Sequence, residues 1–281
     1  MRLLVTGAAG MLGGRVVADA ATRGWEVLGV DLPDGDLTDA AQARMLVAEY
    51  RPGAIVHCAA WTDVDGAEAR EPDALRVNRD ASANVATAAS EAGARVVCVS
   101  TDYVFDGTMR ERPYVESDEP APLGAYGRTK RAGELAVIER CENHAIARTA
   151  WLFGAGGKNF CETMLGLAET RDEVAVVTDQ VGSPTWTGHL SPALLDLAAL
   201  TETGVFHTAG GGQCSWNELT RELFAQAGAD CRVAATTSAE FVRPAPRPGW
   251  SVLASERGET PRLPDWREGV RGFLNERSGG Q

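Results

Sequence analysis

Basic charge is scarce in this sequence, and lysine is scarcer still. Lys130 and Lys158 are the only two lysines, and 27 Lys and Arg face 39 Asp and Glu for a formal net charge of −12. Proteins that bind nucleic acid through its phosphates cluster basic residues, so this balance argues against nucleic acid as a partner. It leaves room for a small anion held by a few local donors. Long apolar runs are missing too. None approaches the ~20 residues of a membrane-spanning helix, so no membrane partner is expected. Arg2-Leu3-Leu4-Val5 starts like a signal peptide but is cut short by Gly7, Gly10 and Gly13. The six cysteines (Cys58, Cys98, Cys141, Cys161, Cys214 and Cys231) include no C-x-x-C pair. Cys58 and Cys98 lie in apolar runs and read as small buried hydrophobes in a reducing compartment. The four histidines show no metal-ligand spacing, and His57 and His207 fall in predicted strands as core residues. The expectation is a soluble cytoplasmic protein with no metal.

What is present is a repeating pattern. In the first half, apolar runs at 2–6, 26–31, 54–58 and 95–100 alternate with amphipathic stretches at 11–23, 39–50 and 75–92. Repeated βα units with strands of Val, Leu and Ile predict an α/β fold with a doubly wound parallel sheet. Residues 105–123 form a Gly/Pro/acid-rich loop, too long for an ordinary connection, whose composition predicts a mobile segment. A helix is expected over 126–142 and a strand over 145–149. Beyond Ala150 the elements shorten and carry five of the seven tryptophans, which predicts a smaller C-terminal lobe. The expected division is 1–150 for dinucleotide binding and 151–281 mainly for substrate, with strands near 174–177 and 205–208 returning to the main sheet. Ser278-Gly279-Gly280-Gln281 reads as a frayed tail.

Gly7-x-x-Gly10-x-x-Gly13 follows the first strand and opens the first helix. Glycines there permit the tight turn, the approach of a pyrophosphate and close helix–strand packing. The helix N-terminus, with Met11 and Leu12 inside the motif, supplies N–H donors and positive dipole. This is the signature of a Rossmann dinucleotide site. Asp31 closes the second strand, 18 residues after Gly13, where a carboxylate accepts from ribose hydroxyls. It also reads as a turn acid in Asp31-Leu32-Pro33-Asp34-Gly35. No basic residue follows from Leu32 to Asp36, so an added 2′-phosphate would meet an unpaired carboxylate. NADH is therefore slightly favoured over NADPH. Asp36 and Leu37 offer a carboxylate and an apolar contact to the adenine end.

Tyr126-x-x-x-Lys130 puts a phenol and an ammonium on one helical face. With so few Tyr and Lys, chance gives such a pair about 3% of the time. A nearby cation should pull the phenol down from its usual ~10 toward the working range of a proton shuttle. At the C-terminal end of a parallel strand stands Val99-Ser100-Thr101-Asp102-Tyr103, where open α/β sheets bind ligands. Strand alternation turns one of Ser100 and Thr101 to the core. Thr101 is preferred as the hydroxyl that joins Tyr126 and Lys130 around a substrate carbonyl.

With these residues in place, the sequence resembles the extended short-chain dehydrogenase/reductases, and among them the dTDP-4-dehydrorhamnose reductases. The segments that carry the resemblance are Ser100–Gly107, Tyr126-Gly127-Arg128-Thr129-Lys130, Arg148-Thr149-Ala150-Trp151, Asn159-Phe160 and Asp179–Thr185. The resemblance implies a hydride from NAD(P)H to the 4-keto group of a nucleotide-activated 6-deoxyhexose. It implies that Tyr126 protonates the keto oxygen, Lys130 holds the nicotinamide ribose and Thr101 hydrogen-bonds the reacting oxygen. Ala59, Ala60 and Thr62 would lie beside the nicotinamide-side phosphates and ribose. Asp102, Tyr103 and Trp151 would contact the sugar, and Asn159 and Arg247 the nucleotide diphosphate. Some family members bridge a dimer through Mg²⁺ on a Glu just after the glycine turn. Gly14-Arg15 stands there in this chain, so neither metal nor that bridge carries over, and a homodimer of another kind stays open. Gly124 replaces an Asn common before the catalytic Tyr.

Two other readings share the fold. A dehydratase or epimerase is one, but Tyr103 replaces the Glu that dehydratases use as base after Thr-Asp. The other is a non-catalytic regulatory subunit of the methionine adenosyltransferase type, which would keep the cofactor pocket without turnover.

Overall fold

A computed structural model describes residues 1–279. The main sheet contains β1 (Arg2–Thr6), β2 (Glu26–Val30), β3 (Ala54–His57), β4 (Arg95–Thr101), β5 (His144–Thr149) and the strand Gly204–His207. All six are parallel, in the spatial order Gly204–His207, β5, β4, β3, β1, β2. The chain leaves β1 to one side for β2 and returns to its other side for β3. That reversal opens a crevice at the C-terminal ends of β1 and β3.

Strand alternation divides the core into two. Leu3, Val5, Val56 and Val97 face α1 (Met11–Thr22) and the helix Thr187–Ala199, through Val16, Leu190 and Leu194. Leu4, Ile55, Val96 and Ile146 face the other way, onto α2 (Ala40–Tyr50) and the helix Ala81–Ala92 through Val47, Val85 and Ala89. The Asp39 carboxylate caps α2 by accepting from the Ala41 N–H at 2.8 Å. A third core, built on Phe153, Val176, Leu223, Trp266 and Phe273, fills the C-terminal lobe.

Several expectations change. The strand near 205–208 does join the main sheet, beside β5. The one near 174–177 does not: Glu173–Val177 pairs with Arg232–Thr236 in a separate two-stranded ribbon. Its residues are buried on alternate positions only, whereas the central strands are buried on both faces, so it suits a ribbon covered on one side. The helix expected over 75–92 is broken by a π turn at Arg76–Asp80. The loop over 105–123 is anchored at Tyr114 and Glu116. Tyr114 exchanges backbone hydrogen bonds with Val252 and Ala254, and Glu116 accepts from the His207 and Glu256 N–H groups. The C-terminal helix Trp266–Gly279 includes Ser278 and Gly279 of the expected tail, while Gly280 and Gln281 lie outside the described residues. Among the described residues no helix is long and apolar enough to cross a membrane.

Candidate active site

The glycine turn is built on contacts that only hydrogen permits. Gly7 has φ +70°, and a Cβ there would stand 2.7 Å from the Ala59 nitrogen; one on Gly13 would stand 2.1 Å from the Gly7 carbonyl oxygen. α1 thus starts against the strand ends, with Gly10 as an N-cap that has no side-chain acceptor for the first N–H groups. Free helical N–H groups beside a backbone channel suit a diphosphate. A cavity of about 900 Å³ extends from this turn along the sheet edge. The expected cofactor residues all line it: Gly7, Gly10, Met11, Leu12, Gly13, Asp31, Asp36, Leu37, Ala59, Ala60 and Thr62, with Tyr126 and Lys130. A dinucleotide fits this cradle.

Asp31 combines both of its sequence readings. Its carboxylate accepts from the Ala9 N–H at 2.9 Å and the Leu32 N–H at 2.8 Å, bracing the glycine turn against the turn after β2, and it also faces the cavity. Hydrogen bonds from Thr38 hold the Asp36 carboxyl below its usual range.

The helix that carries Tyr126 and Lys130, Ala125–Arg140, starts at Gly124, which offers no side-chain cap; Glu68 supplies it, accepting from the Ala125 N–H at 2.7 Å. A Cβ on Gly124 would come within 2.6 Å of that Glu68 oxygen, so the common Asn would displace the cap. Gly127 lies on the Tyr103 carbonyl, 2.2 Å from where its Cβ would be, which draws Tyr126 toward the end of β4. The π turn points Asn78 inward. Its amide oxygen accepts from the Trp61 N–H at 2.8 Å, and its nitrogen donates to Thr129 at 3.0 Å, joining the loop after β3 to the helix that carries Tyr126.

Thr101, Tyr126 and Lys130 come together at the cavity wall with Asp102, Tyr103 and Trp151. Ser100 is the core-facing hydroxyl of its pair, donating to Glu134 at 2.6 Å. Thr101 stands beside the Tyr126 phenol, and its hydroxyl donates to Asp102 Oδ1 at 3.1 Å. The Lys130 ammonium donates to the Val99 carbonyl at 2.8 Å. Tyr126 moves opposite to the sequence expectation. Burial of its hydroxyl pushes it up to about 12, the neighbouring Thr101 hydroxyl only partly offsets this, and the charge of Asp102 adds to the rise. Tyr126 therefore stays protonated at neutral pH, as a proton donor requires.

Two expected substrate residues are engaged elsewhere. Arg247 does not line the cavity; it donates to Asp65 at 2.6 Å and to the Ala245 carbonyl at 2.8 Å. Asn159 caps the helix Phe160–Ala168 by accepting from the Glu162 N–H, while its amide nitrogen donates to the Gly154 and Gly157 carbonyls. Both side chains satisfy the fold before any ligand arrives. Conversely, Lys158 and Trp216 line the cavity and were not singled out from the sequence. Distance along the chain conceals them, since only tertiary packing brings them to the strand ends.

The histidines read as core residues hold that role. The His57 ring bonds Thr6 and Ser82, and burial drives it down to about 3, so it is neutral. Arg15 pairs with Asp19 and Glu276. Among the described residues no group of three or more His, Cys, Asp or Glu side chains could hold a metal ion.

A Tyr126–Lys130 pair in one cavity with a dinucleotide cradle is the geometry of an oxidoreductase of the extended short-chain type. A model of the RmlD substrate-binding domain matches residues 1–278. The dTDP-4-dehydrorhamnose reductase of Streptomyces griseus is 46% identical over 263 residues, covering 91% of this chain and 86% of that protein. The dTDP-4-keto-6-deoxy-D-glucose reductase of Streptomyces niveus is 43% identical over 269 residues, covering 95% and 90%. A crystal structure of dTDP-4-dehydrorhamnose reductase from Bacillus anthracis in complex with NADP superposes with a TM-score of 0.94 at 36% identity, covering 98% of this chain and 99% of that one. The chain belongs to the RmlD substrate-binding-domain family.

Proposed function

We propose that this protein reduces the 4-keto group of a nucleotide-activated 6-deoxyhexose, converting dTDP-4-dehydro-L-rhamnose to dTDP-L-rhamnose. The observation that carries this reading is the gathering of Thr101, Tyr126 and Lys130 in a cavity continuous with the glycine cradle. A bound nicotinamide dinucleotide supplies the hydride. The N–H groups that open α1 hold its diphosphate, and Asp31 receives the adenosine ribose. Lys130 turns from the Val99 carbonyl to a ribose hydroxyl. Thr101 orients the substrate carbonyl, and Tyr126 gives its proton to the carbonyl oxygen. Asp102, Tyr103 and Trp151 take the sugar. Arg247 reaches a substrate diphosphate by exchanging Asp65 for it, and Asn159 acts by fixing the 154–159 loop.

Asp31, with no cation from Leu32 to Asp36, supports a preference for NADH. Residues 1–150 with the 187–207 segment form the dinucleotide body, and most of the remainder forms the substrate lobe. The six unpaired cysteines support a cytoplasmic location, and the net charge of −12 supports small-molecule partners over nucleic acid.

Steady-state kcat/KM with dTDP-4-dehydro-L-rhamnose and dTDP-4-keto-6-deoxy-D-glucose, each with NADH and NADPH, tests the reading. Turnover of the rhamnose precursor, with NADH the better cofactor, is expected. Better turnover of the glucose-derived ketone would change the assigned sugar, and a clear NADPH preference would refute the Asp31 argument. Cofactor binding without turnover of any 4-keto sugar would leave a regulatory subunit.

A further inference from the structure

A hydrogen-bonded chain runs through the core from the glycine turn to the helix that carries Tyr126. Its members are Thr6 at the end of β1, His57 at the end of β3, Ser82, and Asn78 in the π turn, each 2% exposed or less. Geometry places every side-chain proton from Thr6 to Ser82. The Ser82 hydroxyl has one, and it goes to the Asn78 carbonyl at 2.7 Å. The ring must therefore donate the 3.1 Å bond between His57 Nε2 and Ser82 Oγ. The ring is neutral, because burial and then the charge of Lys130 oppose its protonation. Its Nδ1 thus has no proton and accepts from the Thr6 hydroxyl at 2.7 Å. The Thr6 oxygen accepts in turn from the Ala59 N–H at 3.4 Å.

Each end of the chain holds a different part of the site. Thr6 immediately precedes Gly7, and Ala59 is the residue against which Gly7 packs. The Thr6–His57 end thus fixes two of the backbone segments that line the dinucleotide cradle. At the other end, Ser82 bonds the carbonyl four residues before it, a contact that bends helices. The bend falls at the π turn, where the Asn78 amide bridges the Trp61 N–H and the Thr129 hydroxyl. Thr129 donates to the Tyr126 carbonyl at 3.0 Å. The helix Ala125–Arg140 rests on the same Asn78 carbonyl that Ser82 holds, 2.3 Å from where a Gly133 Cβ would be. His57 joins the two ends.

We propose that His57 is a positioning residue for the reduction: its Nδ1 fixes the cofactor cradle through Thr6, and its Nε2 fixes the Tyr126 helix through Ser82 and Asn78. This rests on the reductase reading. The two nitrogens have separable tasks, since each bonds one partner. Loosening the glycine turn weakens the dinucleotide, whereas a shift of the Tyr126 helix slows proton delivery to a substrate already bound. A ring that only filled the core would show no such division.

Two substitutions separate the tasks. His57→Asn puts an amide near the place of Nδ1 and falls short of Ser82; His57→Gln reaches Ser82 and leaves Thr6 without its acceptor. In His57→Asn, NADH affinity should stay within about twofold of wild type while kcat falls about tenfold. In His57→Gln, NADH affinity should fall about tenfold, with kcat at saturating NADH within about threefold of wild type. Ser82→Ala should follow His57→Asn, and Thr6→Val should follow His57→Gln; this second pair carries the test if a His57 variant fails to fold. Hydrogen exchange gives a readout without turnover: amides 126–134 should exchange faster in Ser82→Ala and as in wild type in Thr6→Val. Parallel losses of kcat and NADH affinity in both members of a pair, or no loss in any variant, would overturn the division and leave His57 a core residue. If the wild type reduces no 4-keto sugar, the reductase reading fails; NADH titration and the exchange pattern then still decide what His57 holds.

Discussion

Trp151 lies face to face on Trp216, with ring centroids 3.5 Å apart and planes 1° from parallel. Trp151 takes φ +47°, a left-handed backbone costing ~1–3 kcal/mol for such a residue, so its surroundings must hold it there. Gly182 lies beneath the ring, where a Cβ would sit 2.4 Å from the indole. Both tryptophans face the cavity. Trp216→Ala should remove the backing of Trp151 and raise KM for the sugar nucleotide about two- to tenfold, in line with an aromatic pair worth ~0.5–1.5 kcal/mol. Gly182→Ala should do the same by displacing the ring, with dinucleotide affinity unchanged in both. Equal KM values in variant and wild type would show that the stack only supports the fold.

Lys158 is the one lysine in the cavity wall besides Lys130 among the described residues. It follows Gly157, whose Cβ would sit 2.9 Å from Met11 at the glycine turn. A cation here complements the diphosphate of a dinucleotide. Lys158→Ala should weaken NADH binding about three- to tenfold at low salt, with a smaller effect at high salt. Fluorescence titration of both proteins at two ionic strengths checks this; equal affinity at low salt would remove Lys158 from the site.

Behind β4, Glu134 accepts two hydrogen bonds from Arg148, both at 2.9 Å, and others from Ser100 and Arg131. Burial alone would raise its pKa, but Arg148 first, then Ser100 and Arg131, hold it below the usual glutamate range. With the folded value below the unfolded one, the stabilisation is present above the unfolded pKa and disappears as pH falls through the folded value. Glu134→Gln leaves Arg148 buried without its counter-charge, at a cost of about 3–5 kcal/mol. Denaturant unfolding at neutral pH should show that loss, and the difference from wild type should narrow on acidification. A constant difference down to low pH would contradict the ion-pair account.

The candidate site was legible because its signals are local. The Gly7–Gly13 spacing, the strand end at Thr101 and the four-residue step from Tyr126 to Lys130 each fit within one element or one turn. The direction in which Tyr126 shifts was not, because it depends on how deeply the hydroxyl is buried and where the Lys130 ammonium points. Nor was the role of Asn78, since a π turn leaves no periodic mark and joins Trp61 to Thr129 only after the helices have packed. The apolar run near 174–177 indicated a strand, but a local run does not say which sheet receives it. Arg247 and Asn159 show the converse. A motif identifies the side chain, while Asp65 and the Gly154 and Gly157 carbonyls decide what it touches.

The most direct test of the central claim is single-turnover reduction of dTDP-4-dehydro-L-rhamnose by wild type and Tyr126→Phe, with NADH affinity measured in parallel. The substitution removes one oxygen and keeps the ring that meets Tyr103 edge-on at 5.7 Å, so the cavity should survive. The account predicts unchanged NADH binding and a loss of about 10²–10⁴ in the reduction rate. A Tyr126→Phe protein that reduces the sugar as fast as wild type would show that the proton comes from another group.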